Sequence, residues 1–158
     1  MEELIIRRAT DGDIPRIGEL LVEVHALHHA IRPDLFRDGT RKYDDAELRD
    51  ILADDRRPVF VAVRDGRVEG YAFCVHRQFV GDRNMTDVRT LYIDDLCVGR
   101  DSRGGGIGRA LYEYVLAYAR EAGCYNVTLN VWEGNDGARA FYEKVGMRVQ
   151  KTGMETIL

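Results

Sequence analysis

The chain has 158 residues, 45% hydrophobic and 32% charged, with a formal net charge of −4 at pH 7. That size suits a single domain over residues 1–158 with a sheet-and-helix core, and the acidic balance speaks against nucleic acid as a partner. No apolar run nears the roughly 20 residues that cross a bilayer, and MEELIIRRAT lacks a secretory leader's layout, so the expectation is a cytoplasmic protein with no membrane partner.

The first segment, LIIRRA, reads as a short strand. Ile14, Ile17, Leu20, Leu21, Val24, Leu27 and Ile31 then recur at helical spacing, with Thr10 or Asp11 as cap and Pro15 in the first turn. Pro33 ends this helix and opens a long irregular loop, after which Asp44 and Glu47 form a capping box for a second helix through Leu52. VFVAV and VEGYAFCVHRQF flank Asp65-Gly66, a hairpin signal, and RTLYIDDLCV reads as the next strand. A helix from Gly106 to Gly123 follows, then a β-rich NVTLNVW, a short helix NDGARAFYEKVG, and final strands in MRVQKT and ETIL. The order predicts an α/β (mixed α+β) fold with a mixed sheet flanked by helices. Cys74, Cys97 and Cys124 form no Cys-x-x-Cys pair, so no zinc ribbon or disulfide framework is read.

RGGGIG, residues 103–108, joins a strand to a helix N-terminus. Free amides and the positive end of the helix dipole favour an anion there, and Arg100, Arg103 and Arg109 make the patch basic within an acidic chain. A Walker loop needs Lys and Ser/Thr after the last glycine, whereas Arg109 and Ala110 follow Gly108. The dinucleotide fingerprint also fails, since its third glycine falls on Arg109 or Leu111. Close packing of the helix on the sheet is the plainer alternative.

The pattern Arg-x-x-Gly-x-Gly at Arg103, Gly106 and Gly108 resembles the acetyl-coenzyme A loop of the GCN5-related N-acetyltransferases. LYIDDLCV is similar to that family's fourth strand, and NVWEGNDGARAFYEKVGM, with Asn135, Tyr142 and Gly146, to its second signature. The resemblance covers nearly the whole chain. It implies a mostly antiparallel sheet whose fourth and fifth strands splay apart around acetyl-CoA, the cosubstrate. It further implies that backbone at Leu96, Cys97 and Val98 pairs with the pantetheine arm, and that amides of Gly104, Gly105, Gly106, Ile107, Gly108 and Arg109, with Arg103 and Asn135 beside them, hold the cofactor. A homodimer is a further implication, with the C-terminal strand as its candidate interface.

Acetyl transfer to an amine needs proton management, because an alkyl amine of pKa about 10.4 is only about one part in 2,500 free base at pH 7. By resemblance Tyr142 is the general acid for the departing thiolate and Asp94 the acidic residue of the diamine-acetylating branch; core packing is the plainer reading of Tyr142. Asp94 and Asp95 are the base candidates, and regular strand alternation aims only one at the cleft unless a bulge intervenes. Asp94 is favoured, as direct base or as charge recognition for a cationic amine. His25, His28 and His29 share one helix face without a third ligand, so no metal is expected, and His28 is a candidate substrate contact. Trp132 and Tyr92 could line the acceptor pocket or the core. The expected reaction is acetyl transfer from acetyl-CoA to a small, cationic primary amine; a protein N-terminus or lysine is the alternative acceptor, and a non-catalytic acyl-CoA sensor the alternative class.

Overall fold

Asp65 and Gly66 both take positive φ, 55° and 71°, the geometry that matches a two-residue turn to strand twist. They close a hairpin between β2 (Val59–Arg64) and β3 (Arg67–Gln78) in the computed structural model of the chain, which describes residues 3–158. Around it the sheet runs in chain order: β1 (Ile5–Arg8), β2, β3, β4 (Arg89–Val98) and β5 (Asn126–Leu129). Every pairing is antiparallel except β4 with β5, which are parallel and joined by α3 (Ile107–Glu121). A parallel neighbour requires such a crossover.

Strand alternation divides the core between the two faces. Val59, Val61, Tyr71 and Phe73 pack with α1 (Ile14–Ile31) and α2 (Asp45–Leu52), while Phe60, Ala62, Ala72 and Cys74 pack with α3 and with Phe141 of α4 (Asp136–Lys144). Ile17, Leu20 and Leu21 of α1 are fully buried. The capping box forms as expected: Asp44 accepts from the Glu47 amide at 2.8 Å and Glu47 from the Asp44 amide at 3.1 Å. A 3-10 turn, Asp11–Asp13, leads into α1, and Arg7 donates to both Asp13 oxygens at 2.7 and 2.9 Å.

The expected C-terminal strands do not form. β5 stops at Leu129, and residues 148–158 carry no regular structure. Val149, Met154 and Ile157 are 64%, 89% and 75% exposed, so no surface covers the side chains that suggested strands. A β-rich segment becomes a strand only against a partner that buries it.

Candidate active site

The register between β3 and β4 changes at one point: Phe73 opposes Asp95, while Cys74 opposes Ile93. Asp94 is the extra residue, and this bulge reverses the phase of β4. Before it, Leu91 and Ile93 face the α3 side; after it, Leu96 and Val98 take that side and Cys97 joins the α1 core. Asp94 and Asp95 consequently both meet groups from the α1 side, where unbroken alternation would have separated them. Pairing of β4 with β5 ends at Ile93 and Leu129, so among the described residues the edge from Asp94 to Val98 has no strand partner on the β5 side.

The two carboxylates differ. Asp94 accepts from Lys42 Nζ at 2.9 Å to each oxygen and from the Tyr43 hydroxyl at 2.8 Å. Asp95 accepts from the Tyr71 hydroxyl at 2.6 Å, and burial pushes its carboxyl up to about 6, against the smaller opposing pull of that bond and of Lys42. Tyr142, on α4, is half-buried, and its hydroxyl bonds no group among the described residues. Burial, and then the nearby Asp95 and Cys97, raise its pKa, so it stays protonated near neutrality. Burial pushes the Cys97 thiol up to about 12, which leaves it without thiolate character.

Gly104 and Gly106 take φ of 86° and 78°, which bends the chain back into α3. The first α3 bond to an amide outside that bend is Ala110 to the Gly106 carbonyl at 3.0 Å, so the amides from Gly104 to Arg109 have no backbone acceptor among the described residues. A Cβ at Gly104 or Gly106 would meet open space. Gly108 is different: a Cβ there would come within 3.3 Å of the Phe141 ring and 3.6 Å of Val98, so this glycine serves packing of α3 on α4. The basic residues are partly committed. Arg100 lies 3.7 Å from Glu23, Arg109 lies 3.5 Å from Glu113, and Arg103 Nε donates to the Val98 carbonyl at 3.4 Å. Arg64, not singled out in the sequence, lies beside Gly105 with a buried Nε that has no partner among the described residues. Free amides, open space and these cations suit a diphosphate. Asn135 caps α4 by accepting from the Ala138 amide at 3.2 Å.

His25 and His29 donate to the Arg37 and Phe36 carbonyls at 2.6 and 2.7 Å and so pin the irregular loop to α1. His28 lies 5.1 Å from the Phe36 ring, which meets Trp132 edge-on at 5.4 Å. Burial, His25 and Lys42 lower the His28 pKa, so it is a neutral ring beside the Lys42–Asp94 pair. Tyr92, two residues before Asp94 on β4, is bonded by Asn130 at 3.1 Å and stacked under Arg77. Sequence reasoning missed Phe36, Lys42, Tyr43 and Tyr71. The first three lie in or next to the irregular loop, where no periodicity signals direction; the only available cue was that long loops tend to carry function.

A profile of the acetyltransferase (GNAT) family matches residues 24–147. The chain belongs to that family. This GNAT chain is 35% identical over 107 residues to an uncharacterized N-acetyltransferase of Mycobacterium tuberculosis, covering 68% of the chain and 63% of the relative. The match thus spans somewhat less than two thirds of that relative's length. A crystal structure of a mutant BH1408 protein of Bacillus halodurans superposes with a TM-score of 0.93 at 34% identity, over 98% of this chain and 99% of that one. An aminoglycoside N-acetyltransferase in complex with CoA shares the fold, with a TM-score of 0.74 at 17% identity over 100% and 96% of the two chains. Among the described residues no helix is long and apolar enough to cross a membrane.

Proposed function

We propose that this GNAT protein is an acetyl-CoA-dependent N-acetyltransferase acting on a primary amine of a small, cationic acceptor. The observation that carries this reading is the convergence, at the bulge of β4, of an open strand edge, two carboxylates and the α4 tyrosine, with free amides of the glycine turn at the end of the same strand. The open edge at Leu96, Cys97 and Val98 suits the pantetheine arm, and the amides of Gly104 to Arg109, with Arg64 and Arg103 near, suit the pyrophosphate. Bound acetyl-CoA supplies the thioester carbonyl. Asn135 contributes by fixing the start of α4, which carries Tyr142.

The two aspartates divide the work. Asp95, with a carboxyl at about 6, is ionised at pH 7 yet basic enough to take the acceptor's proton. Asp94, hydrogen-bonded on both oxygens, recognises the acceptor's positive charge, which displaces Lys42, while His28, Phe36 and Trp132 offer an apolar wall. Tyr142 donates to the departing thiolate. Its raised pKa opposes that step until Asp95 becomes protonated; the proton taken from the amine removes one of the charges that hold the tyrosine pKa up, so the base step eases the acid step.

Thermal unfolding with acetyl-CoA, with NAD as control, tests the cofactor assignment. At about 100 times its Kd the cofactor adds about 2.7 kcal/mol, or about 5 to 10 °C. Thiol release with a panel of diamines, amino acids, aminoglycosides and lysine peptides then tests transfer. Tyr142→Phe is expected to keep the thermal shift and lose about 10²-fold or more of turnover. No shift with acetyl-CoA would overturn the assignment, a shift without turnover on any amine would favour a sensor, and unchanged turnover in the variant would remove Tyr142 as the acid.

A further inference from the structure

At the Arg89 end of β4, five residues before the bulge at Asp94, a cavity of about 390 Å³ is lined by Asp55, Arg56, His76, Arg89, Tyr118 and the Arg77 backbone position, among others. Its cations come from separate elements. His76, near the end of β3, opposes Leu91, Arg89 begins β4, and Arg56 precedes β2 with its carbonyl accepting from the His76 amide at 2.8 Å. Arg8, at the end of β1, reaches Asp55 at 3.4 Å, and Tyr118 lies eleven residues, or about 16 Å, along α3 from its first residue. The cavity therefore stands apart from the proposed transfer centre, and nothing about it depends on that proposal.

Charge and hydrogen bonding here are both incomplete. The chain is net negative, yet Arg8, Arg56 and Arg89 lie around this cavity with Asp55, whose fully exposed side chain is paired with Arg8. Arg56 and Arg89 have no carboxylate partner among the described residues, and Arg89 lies near Gly123 at the end of α3, whereas the Arg77 side chain turns to the other face of the sheet and stacks 3.8 Å over Tyr92. His76 joins the cluster through Nε2, bonded to the Tyr118 hydroxyl at 2.7 Å, while among the described residues its buried Nδ1 has no partner, and neither has the buried Nε of Arg8. Burial, and then the charges of Arg89, Arg8 and Arg56, lower the His76 pKa, in keeping with that placement. Guanidinium forks from several elements around unsatisfied donors are the arrangement that binds multivalent oxyanions.

We infer that this cavity is a second binding site, for a small di- or trivalent oxyanion such as a phosphate compound or a polycarboxylate. Amide NMR of the full chain, titrated with pyrophosphate and separately with citrate at constant ionic strength, tests it. The expected result is saturable shifts at the amides of His76, Arg77, Tyr118 and Ala122, with the tighter of the two probes assigning the ligand to phosphates or to polycarboxylates. Arg56→Gln with Arg89→Gln, both at exposed positions where folding is not at stake, should weaken that titration at least about tenfold. Any pyrophosphate response at Gly104 to Arg109 should be unaffected by the pair. Shifts confined to the glycine turn, shifts that never saturate, or the same affinity in the double variant would overturn the inference.

Discussion

Asp13 and Asp95 are both carboxylates in protected positions, and the protein treats them in opposite ways. Asp13, 7% exposed, accepts from both Arg7 nitrogens and from the Thr10 amide at 2.8 Å. Those bonds, Arg7 first, outweigh burial and hold its carboxyl below the usual range. Asp95 has one side-chain donor, Tyr71, and burial wins, at about 6. A carboxylate supplied with donors fixes structure, whereas one left short of them stays able to exchange a proton near neutrality.

The largest expected effect that would break this contrast is on catalysis. If Asp95 is the base, wild-type turnover should climb about tenfold per pH unit below about 6 and level off above it. Asp95→Asn should lower kcat/KM by about 10² to 10⁴-fold and flatten the profile. Stability should move the other way. Because the folded pKa lies above the unfolded value of about 3.9, the stabilising contribution of Asp95 is full below that value and is lost as pH rises through about 6. At pH 7.5 the variant should therefore unfold at the same temperature as wild type or higher. Full activity in the variant would remove Asp95 as base, and a marked fall in melting temperature would make it a structural residue like Asp13.

Next in size is Asp13→Ala, which leaves Arg7 without its partner. Losing one member of a fully buried pair costs about 3 to 5 kcal/mol, but Arg7 is 41% exposed, so about 2 kcal/mol, or about 4 to 8 °C, is the reasonable expectation. Its pH sign is opposite to that of Asp95: stability from Asp13 is present above the unfolded pKa and lost as pH falls through the lower folded value. Transfer by the folded variant should stay within about twofold of wild type. A large loss of turnover with an unchanged melting curve would erase the distinction between the two aspartates.

What could be seen beforehand follows the range of the interactions. The Asp65-Gly66 turn, the Asp44–Glu47 box and the helical spacing of α1 and α3 are set by residues close in sequence, and all of them form. The glycine turn was legible for the same reason. The bulge at Asp94 was not, because it is a mismatch of count between β3 and β4 and neither strand carries it alone. Tyr71, the donor that distinguishes Asp95, is 24 residues away, and Lys42, the donor on Asp94, is 52 away, inside a loop without periodicity. The C-terminal strands failed in the opposite direction, since their composition is β-like but no neighbour covers them.

The smallest expected effect sharpens the difference between the two neighbours on the bulge. Lys42 holds Asp94 with its side chain 47% exposed, so the pair is worth only about 0.2 to 1 kcal/mol. A cationic acceptor that uses Asp94 must compete with that ammonium. Lys42→Met should therefore lower KM for a diamine about two- to fivefold, with kcat nearly constant well above pH 6, where Asp95 stays ionised even without the pull of Lys42. The gain should shrink at high salt, where exposed charges are screened. An acceptor carrying its own carboxylate should show the reverse, since Lys42 would then be its partner, and a rise in KM for every diamine tested would mean that Asp94 serves to position Lys42 and does not meet the acceptor.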